Sequence, residues 1–131
     1  MWKQHFISTL NYHIVFCTKY RLRFLWDKKD FCIKILKETS NKYWFIFKDI
    51  VIEEDHIHLF VSSSPKYSPE LIVKLLKQHL AYSLVQQFEE IKEKYLWWSK
   101  QVFSHWYFIS SIWELSKNTI ENYLKHNDWN E

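Results

Sequence analysis

EEDHIHLFVSSSPKYSPELIVKLLKQHL, residues 53–80, carries a strand, a loop and the opening of a helix in one stretch. Residues 55–62 are a run of β-formers, and residues 62–68 (SSSPKYS) read as a loop around Pro65. Ser68 then stands as a helix cap with Pro69 at the first helical position and Glu70 in the first turn. Leu71, Ile72, Leu75, Leu76, Leu80, Leu84 and Phe88 supply a buried stripe that predicts a helix to about Lys94. Upstream, residues 44–51 form a second β-rich run, separated from the first by Glu53 and Glu54 as in a hairpin or a closely connected pair. Phe31, Ile35 and Leu36 recur at helical spacing within 27–41, with Asp27 as the expected cap. Before that helix, NYHIVFC (11–17) reads as a strand running into the basic cluster Lys19, Arg21 and Arg23. Downstream, residues 102–112 read as a strand or as a loop and strand, and Ser116 opens a last helix reaching about Asn127. The order β-α-β-β-α-β-α predicts an α+β fold. It is a ferredoxin-like or RRM-like antiparallel sheet, with helices on one face and an appended C-terminal helix.

At 131 residues the chain is expected to form one domain, residues 1–131, rather than two. With 47% hydrophobic and 25% charged residues it is neither disordered nor fibrous. No apolar run approaches the roughly 20 residues needed to span a bilayer, so no membrane role is expected. The N-terminal stretch lacks the order of a secretory signal. Cys17 and Cys32 show no CxxC spacing and suit free thiols, which makes the cytoplasm the expected compartment. A net charge of +3 permits nucleic-acid binding without demanding it.

The sharpest local feature is Asp55-His56-Ile57-His58. Alternation along a strand puts His56 and His58 on one face, a few Å apart, which suits two ligands of one metal ion, although histidines also occur in strands simply for packing. In the last helix Ile120, Tyr123, Leu124 and Asn127 share a face, and an inward tyrosine there, standing alone, is usually a core residue with a hydrogen-bonded hydroxyl.

Taken together, YHIVFCTKYR (12–21), EEDHIHLFVSSSPKYSP (53–69) and YFISSIWELSKNTIENYLKHN (107–127) resemble the single-domain HUH (Y1) transposases of the IS200/IS605 class and their relatives associated with repetitive extragenic palindromes. The resemblance runs from about residue 5 to residue 127. It implies a single-stranded DNA nicking and joining enzyme in which Tyr123, on the last helix, is the nucleophile and His56 and His58 hold a divalent cation, Mg²⁺ or Mn²⁺. The family commonly has a glutamine as third ligand, where this chain has Asn127, one methylene shorter. The resemblance also implies recognition of single-stranded DNA hairpins and action as a homodimer. Lys19, Tyr20, Arg21, Arg23, Lys66, Tyr67, Lys74 and Lys77 flank the site in sequence and are the candidates for phosphate binding and base stacking. Two rivals differ in class. One is a non-catalytic hairpin-binding domain on the same sheet, and the other is a metal-dependent phosphodiesterase that uses water and leaves Tyr123 structural.

One compositional fact stands apart: the chain has no glycine and 8 tryptophans. The resemblance puts glycine at Trp44, Trp98, Trp106 and Trp113, and Trp26 is a further candidate. UGA codons that encode glycine in the source, translated as tryptophan, would account for both anomalies. The alternative is a genuinely tryptophan-rich member of the family. TGG codons at these positions would exclude the recoding.

Overall fold

The computed structural model describes residues 10–95, 101–112 and 117–125, without the side chains of Tyr95, Lys117, Thr119 and Tyr123. The elements are β1 (Leu10–Thr18), α1 (Lys29–Tyr43), β2 (Ile46–Ile52), β3 (His56–Ser63), α2 (Pro69–Gln87), β4 (Phe103–Ile112) and α3 (Lys117–Lys125), with a 3₁₀ turn at Lys19–Arg21 and a π turn at Ile91–Tyr95. The strands form an antiparallel four-stranded sheet in the order β2-β3-β1-β4, which is the expected α+β architecture.

β1 and β3 are central and almost wholly buried, which explains why both read as apolar runs with few polar interruptions. Their two faces do different work. Tyr12, Ile14 and Phe16 of β1 and Ile57, Leu59 and Val61 of β3 join Leu36 of α1 and Ile72, Leu76, Leu80 and Leu84 of α2 in the main core. Register sends the alternate residues to the other face, because Val15 pairs with His58, Cys17 with His56 and His13 with Phe60. There Phe60 forms a small second cluster with Ile112 and with Ile120 of α3, flanked by Leu124. So α1 and α2 cover one face, and α3 packs on the face that carries the histidines.

Two helix boundaries depart from expectation. Asp27 does not cap α1: the N-cap is Lys28, without a side-chain cap bond, and Asp27 instead accepts a 2.8 Å hydrogen bond from the Lys28 ammonium. The buried Lys28 needs that carboxylate more than the helix end does. α2 stops at Gln87 rather than near Lys94, because Phe88 turns to extended backbone and the chain resumes as the π turn. The predicted cap of α2 is present, with the Ser68 hydroxyl accepting from the Leu71 N–H at 3.2 Å and Pro69 as the first helical residue.

α1 ends on Trp44, whose φ of 63° and ψ of 32° are left-handed, and the first bond beyond the helix runs from Phe45 N–H to Ser40 O at 3.1 Å. That is the position glycine favours at a helix C-terminus, and a side chain with a Cβ is strained there by roughly 1–2 kcal/mol. Trp106 lies within strand β4, and Trp26 lies in a turn; neither has positive φ. Trp98 and Trp113 lie outside the described residues.

Candidate functional site

His56 and His58 come together as the alternation of β3 requires, with ring centroids 5.0 Å apart and planes crossed at 73°. Both are buried, at 4% and 3% exposure, which is unusual for titratable groups without a task. Each is held by its Nδ1. The Asp55 carboxylate lies 2.7 Å from His56 Nδ1, and His13 Nε2 lies 3.1 Å from His58 Nδ1. Burial alone would raise the Asp55 carboxyl, but hydrogen bonds from Arg21 and His56 hold it below the usual range. An ionised carboxylate only accepts, so His56 Nδ1 carries the proton. His56 Nε2 is then the nitrogen left over, and it is buried with no hydrogen-bond partner among the described residues.

His58 is pushed down to about 3, first by burial and then by the charges of His56 and His13, and burial pushes His13 down to about 4. Both are therefore neutral imidazoles at physiological pH, the form that binds metals. Two adjacent histidines with Nδ1 engaged, one of them with its Nε2 unpartnered among the described residues, suit a divalent cation. Among the described residues no group of three histidines, cysteines or carboxylates is placed to hold a metal, so a third protein ligand must come from elsewhere or be replaced by water. Asn127 lies outside the described residues.

The loop after β1 delivers Arg21. Thr18 N–H donates to Asp55 O at 2.9 Å and Leu25 N–H to Glu54 O at 3.0 Å, so the loop is pinned over the turn between β2 and β3. Between those pins Tyr20 and Arg21 both take positive φ, 58° and 57°, a strained pair that turns Arg21 Nε onto Asp55 Oδ2 at 2.8 Å. Arg23 faces Glu54 at 3.5 Å. Arg21, Arg23, Trp26 and Lys29 line a cleft of about 480 Å³ that opens beside His56 and also carries Glu53, Glu54 and Asp55.

The other basic candidates are elsewhere. Lys77 is half-buried on α2, donates to the Ser104 carbonyl and has its basicity lowered by burial. With Lys74 it lines a separate groove of about 780 Å³ between α2 and the start of β4. Lys66 sits after β3 with its ammonium 5.6 Å from the Tyr67 ring, and Tyr67 itself packs edge-on against Tyr43 and Phe45. Lys19 and Tyr20 are adjacent in the 3₁₀ turn, the ammonium 5.2 Å from the ring. Residue 123 lies within α3, three positions after Ile120 on the helix that meets the histidine face, but its side chain is outside the described residues. His13 and the Arg21–Asp55–His56 chain were not singled out by motif. Alternation from Cys17 puts His13 on one face of β1, but only the strand register shows that this face is the one bearing His58.

The fold first defines a class. Two solved transposases share it: one from Deinococcus radiodurans R1, with a TM-score of 0.75 at 23% identity over 92% of both chains, and a REP-associated tyrosine transposase bound to a REP hairpin, with a TM-score of 0.63 at 11% identity over 94% of this chain and 72% of that one. Sequence makes the class a family. The profile described as "Transposase IS200 like" matches residues 6–127. The transposase for insertion sequence element IS200 of Salmonella typhimurium is 30% identical over 88% of this chain and 74% of its own, and the ISDra2 transposase TnpA of Deinococcus radiodurans is 26% identical over 92% and 85%. The chain belongs to the IS200-like transposase family.

Proposed function

We propose that this transposase nicks and rejoins single-stranded DNA at hairpin-marked ends through Tyr123, with Mg²⁺ or Mn²⁺ held by His56 and His58 and with Asn127 as the third protein ligand. The observation that carries the reading is the pair of buried imidazoles, each tied by Nδ1, with His56 Nε2 left without a partner among the described residues. When bound, the cation supplies Lewis-acid polarisation of the scissile phosphate. The Tyr123 oxygen attacks that phosphorus; the bond from phosphorus to the 3′-oxygen breaks as the tyrosyl bond forms, and the phenolic proton is lost as the 3′-hydroxyl gains one. The product is a 5′-phosphotyrosine and a free 3′-end. Joining is the reverse attack by another 3′-hydroxyl, so no nucleotide cofactor is needed. Asp55 orients His56, and Arg21 keeps Asp55 ionised.

Arg21 and Arg23 are the proposed phosphate contacts nearest His56, and Lys19, Tyr20, Lys66 and Lys77 are the further proposed DNA contacts. The hairpin bound by the structurally similar REP-associated tyrosine transposase supports a hairpin ligand here. Action as a homodimer follows from the family resemblance. Buried free thiols at Cys17 and Cys32 support a cytoplasmic setting, and no described helix is long and apolar enough to cross a membrane.

The test is a denaturing gel of the purified chain with Mn²⁺ or Mg²⁺ and labelled hairpin DNA from the gene's own flanks. A labelled protein–DNA adduct that disappears in Tyr123→Phe is the expected result. Hydrolysis that survives Tyr123→Phe would point to water as nucleophile. Hairpin binding without any adduct would leave a non-catalytic binding domain.

A further inference from the structure

We infer that His13 is a positioning residue for His58, gripping that imidazole by Nδ1 so that Nε2 is kept for a cation. The inference rests on the reading of His56 and His58 as metal ligands, and it adds a residue to the site from another strand. The two histidines of β3 are backed differently: a carboxylate one residue away holds His56, whereas His58 Nδ1 faces the His13 ring across the sheet at 3.1 Å.

The register makes this contact. Val15 is directly opposite His58, and His13 is two residues further along β1 on the same face, so the rings meet on the diagonal. The ring of His13 is completely buried and immobilised by stacking. It lies parallel to Phe60 at 4.5 Å and 1°, within 8° of the His58 plane at 5.4 Å, and edge-on to Phe108 at 5.7 Å. Packing alone would be satisfied by a phenyl group at this position. What a phenyl group cannot do is share a proton with His58 Nδ1.

One proton lies between the two facing nitrogens. If it belongs to His58 Nδ1, the lone pair of His58 is on Nε2, where a cation can use it. If His58 instead carries its proton on Nε2, that nitrogen cannot ligate. A ring fixed on the Nδ1 side sets the orientation, and with His13 Nε2 as acceptor it also sets the tautomer, the role that a carboxylate or carbonyl plays behind most metal-bound histidines.

The experiment uses the full chain, with Mn²⁺ as the probe. His13→Phe keeps the aromatic stack and removes the nitrogens, whereas His13→Gln returns a polar atom at nearly the reach of Nε2. Mn²⁺ binding followed by electron paramagnetic resonance should weaken about 10–100-fold in His13→Phe and recover toward wild type in His13→Gln. In chelator, long-range ¹H–¹⁵N spectra should show His58 protonated on Nδ1 in the wild type and a tautomer mixture in His13→Phe. Ile35→Ala, a core truncation on the opposite face, controls for lost stability and should leave Mn²⁺ affinity unchanged. Wild-type His58 protonated on Nε2, or His13→Phe binding Mn²⁺ as tightly as wild type, would overturn the inference. A wild type that binds no Mn²⁺, or binds it equally after His58→Ala, would instead sink the ligand reading. The spectra in chelator still decide whether His13 governs the His58 tautomer.

Discussion

Trp44 is the residue at which composition and backbone meet. A chain without glycine must still end its helices, and α1 ends on a left-handed tryptophan that is 43% exposed. Truncating the ring gives up its buried part whatever replaces it, so the backbone effect is read between glycine and alanine: only glycine relieves roughly 1–2 kcal/mol of strain, against about 0.4–1 kcal/mol of added freedom in the unfolded chain. Trp44→Gly should therefore be more stable than Trp44→Ala by up to about 1 kcal/mol in urea titrations. Trp106→Gly against Trp106→Ala should go the other way by about 0.5–1 kcal/mol, because a strand interior with negative φ gains nothing from glycine and loses rigidity. Equal effects at both positions would mean that the left-handed backbone at residue 44 is not what costs the protein. The coding DNA is a separate question: glycine-encoding UGA at residue 44 would give the natural protein the relaxed helix end, and TGG would make the strain native.

α3 is the element on which activity and stability should separate. Its described apolar contacts are Ile120, with Leu124 beside it, on Phe60 and Ile112, while α1 and α2 share the larger core on the opposite face. Ile120→Ser should loosen α3 and leave β1 and β3 in place. Hydrogen exchange should then show fast amides in residues 117–125 and protected ones in 10–18 and 56–63, with Mn²⁺ affinity unchanged. Adduct formation should fall by about 10²-fold, the penalty for displacing a reacting group by about 1 Å. An adduct yield equal to wild type would show that α3 does not need this dock to present Tyr123. The elements themselves were readable because their signals are local: Ser68-Pro69 opens α2, and the alternation of 56–63 puts two histidines on one face. The end of α2 was not readable, because the apolar stripe continues into Ile91, which is buried although the helix has already broken at Phe88. The partners of the histidine pair were equally hidden. His13 meets His58 only through strand register, and Arg21 reaches Asp55 only through a loop with two left-handed residues, whereas local sequence patterns carry neither piece of information.

The sheet as a whole buries acids that prefer to keep their protons, and this sets how the molecule should fail at high pH. Burial pushes the Cys32 thiol up to about 12 from 9.0, and burial also raises Cys17 and the Tyr12 phenol. Below pH 9 both folded and unfolded chains hold the Cys32 proton, so it contributes no pH dependence. Above pH 9 the unfolded chain releases it and the folded chain does not, so the unfolded state binds fewer protons and stability falls as pH rises, until the folded thiol titrates near 12. Cys17 and Tyr12 act in the same direction. Lys77, lowered by burial, acts oppositely: the folded chain gives up that proton first, which raises stability with pH over the interval below 10.5. Because Lys77 is half-buried and the thiols are buried, the decline should win. Urea midpoints should be flat from neutrality to pH 9 and should fall steeply beyond it. Cys32→Ala should start lower because it leaves a small cavity under α1, but it should lose less over the alkaline range. The same burial keeps the neutral thiols from reacting, so the native chain should resist a thiol-labelling disulfide reagent that modifies both cysteines promptly in urea. Parallel alkaline slopes for wild type and Cys32→Ala would shift the cause to Tyr12 and Cys17, which the corresponding Phe and Ala variants would then separate.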